Sequence, residues 1–156
     1  MPVKISSGLL LYRIRSDRTE VLLVHMGGPF WARKDEGAWT IPKGEVESGE
    51  ELLAAAQREF REETGFAPGG TPFALGQVRQ AGGKVVHAFA LEGDFDPQTL
   101  TSNTFKVETP KGSGRFQEYP EVDKAEWFDL AEAHRRIIAA QAPLLDVLAA
   151  APQLRR

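Results

Sequence analysis

The chain has 156 residues, 19 of them basic and 22 acidic, for a formal net charge of −3. That length fits one domain, and a content of 42% hydrophobic and 26% charged residues is that of a globular chain able to bury a core, not of a disordered one. The charge balance argues against a broad surface for nucleic acid or anionic membrane. Cysteine is absent, so disulfides and thiolate metal sites are impossible. His25, His87 and His134 do not cluster, which leaves oxygen ligands for any metal site. The stretch MPVKISSGLLLYRIR has neither the apolar core nor the small-residue cleavage site of a signal peptide, and no run has the length of a membrane span. A cytoplasmic protein is therefore expected.

Residues 3–15 read as a strand, Asp17-Arg18 as a turn, and EVLLVH at 20–25 as a second strand. A glycine- and aromatic-rich loop, MGGPFWARKDEG, precedes a short extended piece, AWTIP, because Pro42 disfavours helix at Ile41. Ser48 is the expected N-cap of the first helix, with Glu51 completing a capping box. LLAAAQREFREE has high helix propensity, and Gly65 supplies the stop. Strands at about 73–80 and 84–91 flank Gly82-Gly83, a two-residue hairpin signal. A further strand candidate runs over 103–109, followed by a loop, PKGSGRFQEYPE, and the extended AEWFDL. Asp129 is suited to cap a second helix with Glu132 at its third position. Leu130, Ala133, Ile137 and Ile138 supply that helix with an apolar stripe, and Pro143 is expected to break or kink it. With no repeat, low-complexity tract or linker, residues 1–156 read as a single α/β domain with a mixed sheet and two main helices.

On the first helix, Glu62 lies about 60° to one side of Glu59 and Glu63 about 40° to the other. Three carboxylates sharing one face repel one another, so the arrangement costs stability unless something positive covers it. A solvated surface helix is the ordinary explanation of an E/R-rich segment. Two features point away from it. Leu53, Ala56 and Phe60 form an apolar stripe bordering the carboxylates, and Gly44 and Gly49 let backbone approach whatever the carboxylates hold. Clustered carboxylates beside a free backbone carbonyl suit Mg²⁺ or Mn²⁺.

From Gly44 to Phe66 the chain reads G-x5-E-x7-R-E-F-x-E-E-x-G-F, which resembles the Nudix box at Gly44, Glu50, Arg58, Glu59, Glu62, Glu63 and Gly65. At roughly 7% per residue type, chance would produce that pattern on the order of once in a million such chains. Phe60 and Phe66 stand where the family more often has aliphatic residues. The order of strands, hairpin and closing helix is similar to the Nudix α/β/α sandwich with a mixed β-sheet over nearly the whole chain.

The resemblance implies a Mg²⁺- (or Mn²⁺-) dependent pyrophosphohydrolase acting on a nucleoside diphosphate linked to another moiety. It implies Glu59 and Glu63 as metal ligands with the Gly44 carbonyl, and Glu62 as a further ligand or the general base. A further carboxylate, catalytic and metal-binding, comes by resemblance from the loop before the last strand, with Glu121 ahead of Glu118. Glu50 and Arg58 are a structural pair bracing the loop against the helix. Lys43, Arg33 and Lys34 are candidates for holding phosphate oxygens, and Phe30, Trp31 and Tyr119 for stacking on a base. Trp39 and Trp127 read as core, and His25 and His134 as structural.

WTIPKGEVESGE is similar to the corresponding stretch of Nudix diadenosine tetraphosphate hydrolases. The leading substrates are therefore dinucleoside polyphosphates or nucleoside triphosphates, oxidised ones included. ADP-ribose, nucleotide sugars, diphosphoinositol phosphates and capped RNA 5′ ends stay open. So does a nucleotide-sensing module without turnover, although such a module has no need of three mutually repelling glutamates. The expected partner is a small-molecule nucleotide, with no membrane and no extended nucleic-acid surface; the sequence does not report oligomeric state.

Overall fold

Leu9, Leu10 and Leu11 are consecutive and all fully buried, so the strand carrying them must be covered on both faces. That strand, β1 (Ile5–Arg15), is the spine of the computed structural model, which describes residues 3–154. It pairs antiparallel with β2 (Arg18–Met26), across a turn in which Ser16 and Asp17 take positive φ. Along its other edge it pairs parallel with β6 (Val85–Glu92), and β4 (Lys43–Glu45) pairs antiparallel with its first residues. The sheet continues through β3 (Trp39–Thr40) beside β2 and β5 (Phe73–Arg79) beside β6. Strand β9 (Val122–Asp129) also pairs with β2. One parallel pairing among antiparallel ones makes the sheet mixed, as expected.

Helix α1 (Leu52–Thr64) lays Ala56 and Phe60 over Leu9, Leu11, Leu22 and Val24. On the opposite face, α2 (Leu130–Arg136) and α3 (Ala142–Ala149) cover Leu10, Tyr12, Leu23 and Trp39. The result is an α/β/α sandwich. Among the described residues no helix is long and apolar enough to cross a membrane.

Several local expectations are corrected. Ser48 is exposed and outside the helix; the N-cap is Glu51, without a side-chain cap bond. Arg58 draws the Glu50 carboxylate inward, and Glu50 Oε1 then accepts from the Glu47 N–H at 3.0 Å, closing the turn before the helix. Gly65 ends α1 in the left-handed conformation, as its position predicts. The β5–β6 turn spans residues 81–83 rather than two residues, with Gln80 N–H donating to Lys84 C=O at 2.8 Å. Phe116–Pro120, expected to be loop, is strand β8, paired with β7 (Thr104–Glu108) in a separate two-stranded sheet. It is mostly exposed and carries no burial alternation.

Asp129 caps α2 through the Glu132 N–H at 2.8 Å, but α2 stops at Arg136. Ile138 N–H donates instead to Trp39 C=O at 2.8 Å, spending the stripe's end on sheet contact. Pro143 lies in the first turn of α3, where its missing N–H costs nothing, so it opens a third helix instead of kinking the second. Trp39 is core, whereas Trp127 is half-buried with the Arg13 guanidinium 4.0 Å over its ring. His25 is buried between Asp123 Oδ1 at 2.8 Å and Lys34 C=O at 2.6 Å, tying the loop after β2 to the β9 strand. His134 is exposed beside Asp146.

Candidate metal and phosphate site

The burial of Phe60 and Ala56 sets the rotation of α1 and turns Glu59 and Glu63 toward β4. Glu59 lies flush on Gly44: a Cβ there would overlap the whole Glu59 carboxylate. Glu63, 8% exposed, accepts from the Lys43 backbone N–H at 3.3 Å. A carboxylate on this stretch thus meets bare backbone because no side chain intervenes at position 44.

Arg58 organises the surroundings. Its Nε and Nη2 fork onto Glu50 at 2.8 and 3.0 Å, and Nη2 also donates to Glu45 C=O at 3.0 Å. Nη1 donates to Glu59 Oε1 at 2.8 Å and to Glu62 Oε2 at 3.2 Å. The expected Glu50–Arg58 pair is present, and the same guanidinium also touches two of the acidic side chains on α1. These bonds hold the Glu50 carboxyl down at about 2.

Glu59, Glu62 and Glu63 open into a cavity of about 330 Å³ with Lys43, Gly44 and Glu121. Ser6, Lys84 and Asn103 complete much of its wall. Desolvation pushes the Glu63 carboxyl up to about 8, partly offset by Lys43. Burial likewise raises Glu59 and, from a more open position, Glu121. It also lowers the Lys43 ammonium, as does the positive charge of Lys84. Ionising several of these carboxylates together is costly without a compensating cation.

Among the described residues, no three acidic or histidine side chains already form a closed metal cage. The donor set nonetheless fits a hard divalent ion. Glu59 and Glu63 carboxylates meet exposed backbone at 43–44, no sulfur or imidazole lines the cavity apart from the Met26 thioether, and Glu62 and Glu121 face the same space.

The remaining named residues lie outside this cavity's lining. In the 27–38 loop, the Lys34 ammonium sits 3.6 Å over the Phe30 ring, and Phe30 meets Trp31 edge-to-face at 5.0 Å. Arg33 is exposed in the same loop. Tyr119, on β8, stacks obliquely on Phe105 at 6.2 Å and donates to Gln117. A Cβ on Gly28 would come 2.8 Å from Phe105 Cζ, so the loop and the β7–β8 hairpin touch at the aromatic rim. Glu118 is exposed and accepts from the Thr104 hydroxyl. Ser6, Lys84 and Asn103 carried no sequence signal. A serine in an apolar strand, a lysine after a turn and an asparagine before a strand follow no motif, and pairing in space alone brings them together.

A family model for the NUDIX domain matches residues 6–148. The chain belongs to the Nudix family of hydrolases. Its fold is similar to the NUDIX domain of Shewanella oneidensis NrtR, solved with ADP ribose, at a TM-score of 0.65 and 18% identity, covering 96% of this chain and 88% of that one. It is similar also to a Caenorhabditis elegans Ap4A hydrolase, at 0.63 and 23% identity, covering 95% and 96%. At such identities the likeness of these Nudix structures is one of fold. A curated Myxococcus xanthus octanoyltransferase is 34% identical over 101 residues, 65% of this chain and 25% of that protein. The present chain thus spans about a quarter of that relative's length.

Proposed function

We propose that this Nudix domain is a Mg²⁺- or Mn²⁺-dependent pyrophosphohydrolase that cleaves a nucleoside diphosphate linked to another moiety. Dinucleoside polyphosphates and nucleoside triphosphates, oxidised ones included, are its leading substrates. The observation that carries this reading is one cavity lined by five glutamates, Glu45, Glu59, Glu62, Glu63 and Glu121, together with the ammonium-bearing Lys43 and Lys84. A polyphosphate is itself anionic, so the carboxylates serve binding only through an intervening cation, while the lysines meet phosphate oxygens directly.

Divalent ions bound there would neutralise the phosphate chain and acidify the attacking water. Glu59 and Glu63, with the Gly44 carbonyl, hold them, and Glu121 adds a ligand from the turn before β9. Glu62, less deeply set and with its carboxylate bonded to Arg58, is a further ligand or the proton acceptor for the water. Arg58 and Glu50 keep the helix and the Gly44 strand in register without touching substrate. Phe30, Trp31 and Tyr119 provide faces for a base, and Arg33 and Lys34 provide charge for a longer phosphate chain. The likeness of WTIPKGEVESGE to diadenosine tetraphosphate hydrolases supports that substrate class.

Incubation with Mg²⁺ and diadenosine tetraphosphate, alongside a panel of nucleotides, tests the proposal by chromatography of the products. ATP plus AMP is the expected outcome. Tight binding of uncleaved ligand would make the domain a sensor instead.

A further inference from the structure

Among the described residues, seven polar or charged ones are buried: Ser6, Ser7, His25, Thr40, Glu63, Thr64 and Gln141. Six have hydrogen-bond partners. Ser7 donates to Leu52 C=O at 2.6 Å and Thr64 to Phe60 C=O at 2.7 Å. Gln141 bridges Thr40, the Ile41 N–H and Gln80. His25 and Glu63 are bonded as described above. Ser6 Oγ alone among them has none. A buried hydroxyl without a partner costs stability that alanine, filling nearly the same space, avoids. Packing therefore does not account for serine at position 6.

The position of Ser6 supplies a reason. Ser6 stands opposite Glu45 in β4 and Val86 in β6, and Gly8 stands opposite Lys43. Strand alternation puts Ser6 on the sheet face that carries Lys43, and Ser6, Lys43 and Lys84 all line the cavity. A hydroxyl and two ammoniums contributed by three separate segments form a donor set for an anionic oxygen.

We propose that the Ser6 hydroxyl donates a hydrogen bond to a phosphate-chain oxygen of the ligand held in this cavity, making Ser6 a substrate-binding residue. The inference rests on the cavity binding a polyphosphate, as proposed above, but not on that ligand being cleaved. The hydroxyl's missing partner is then the ligand, and the cost of leaving it unpaired is recovered only on binding.

The test compares wild type with Ser6→Ala, and with Ser6→Cys, which keeps a single γ atom, somewhat larger, but lacks a strong donor. Melting temperature is measured without ligand, with Mg²⁺ alone, and with Mg²⁺ plus methylene-bridged ATP, whose Kd is also measured. Ser6→Ala is expected to melt at or above the wild-type temperature without ligand and to respond normally to Mg²⁺ alone. It should bind the nucleotide analogue about ten-fold more weakly, with Ser6→Cys behaving alike, and show a raised KM at nearly unchanged kcat. A lower ligand-free melting temperature with unchanged Kd would overturn the proposal and make the hydroxyl structural. Analogue binding that weakens on substitution in a protein that cleaves nothing would leave Ser6 in place and remove the hydrolase reading. Normal cleavage with Kd and KM insensitive to position 6 would do the reverse. A wild type that binds no analogue defeats both.

Discussion

Glu59 rests directly on the backbone of Gly44, and the only atom that could keep them apart is the Cβ that glycine lacks. The backbone at Gly44 does not take a positive φ, so its role is one of space and not of conformation. Gly44→Ala should therefore displace the Glu59 carboxylate without misfolding the chain. We expect kcat to fall by about 100-fold or more, in line with loss of a metal ligand, and the Mg²⁺-induced rise in melting temperature to shrink. Near wild-type turnover in a folded Gly44→Ala protein would remove Glu59 from the ligand set.

Arg58 bonds Glu50, Glu59, Glu62 and the Glu45 carbonyl through one planar group. Lysine keeps the charge but has no fork. Arg58→Lys should destabilise the fold by about 1–3 kcal/mol in urea titration and lower kcat about ten-fold as Glu59 loses its tether. Glu50→Gln should mimic the stability loss more weakly. Should Arg58→Lys lower stability with kcat intact, the guanidinium braces the loop and does not position the carboxylates.

Glu63 gives the metal-free protein a defined pH response. Its folded-state pKa of about 8 lies above the usual 4.5. Between those values the folded state keeps a proton that the unfolded state has released, so stability declines as pH rises through that window. The melting temperature of metal-free protein should accordingly drop between pH 6 and pH 8, and Glu63→Gln should flatten the decline. Mg²⁺ should stabilise more at pH 8 than at pH 6. Calorimetry in buffers of different ionisation enthalpy should also record proton release on Mg²⁺ binding at the lower pH. An equal Mg²⁺ effect at both pH values would exclude Glu63 as a ligand.

Glu121 and Glu118 sit three residues apart in very different surroundings. Glu121 faces the cavity, whereas Glu118 is exposed on the two-stranded sheet with the Thr104 hydroxyl. Glu121→Gln should lower kcat roughly ten-fold, less than Glu59→Gln or Glu63→Gln. Glu118→Gln should leave kcat within about two-fold, as surface changes generally do. Equal effects in steady-state assays would show that the additional carboxylate does not come from position 121.

The helix-borne half of the site was legible in the amino-acid sequence. Glu59, Glu62 and Glu63 fall within two turns of one helix, whose period alone puts them on one face, and Arg58 and Glu50 are close enough along the chain to pair. Most strands and the first two helices were legible for the same reason: β-branched and apolar runs, turn residues and helical stripes are local. Where the local reading failed, a tertiary partner outbid it. Glu50, held by Arg58, took the Glu47 N–H in the turn where Ser48 was expected to cap, Trp39 took the backbone of Ile138 away from α2, and β8 had only β7 to reveal it.

Position along the chain says nothing about Ser6, Lys84, Asn103 or the Gln141 bridge. They are assembled by strand pairing and helix docking between distant segments, which leave no periodic trace. Spacing alone therefore determined that carboxylates gather on α1; only the tertiary structure decided that Lys84 and a buried, unpartnered hydroxyl join Lys43 in lining one cavity with them.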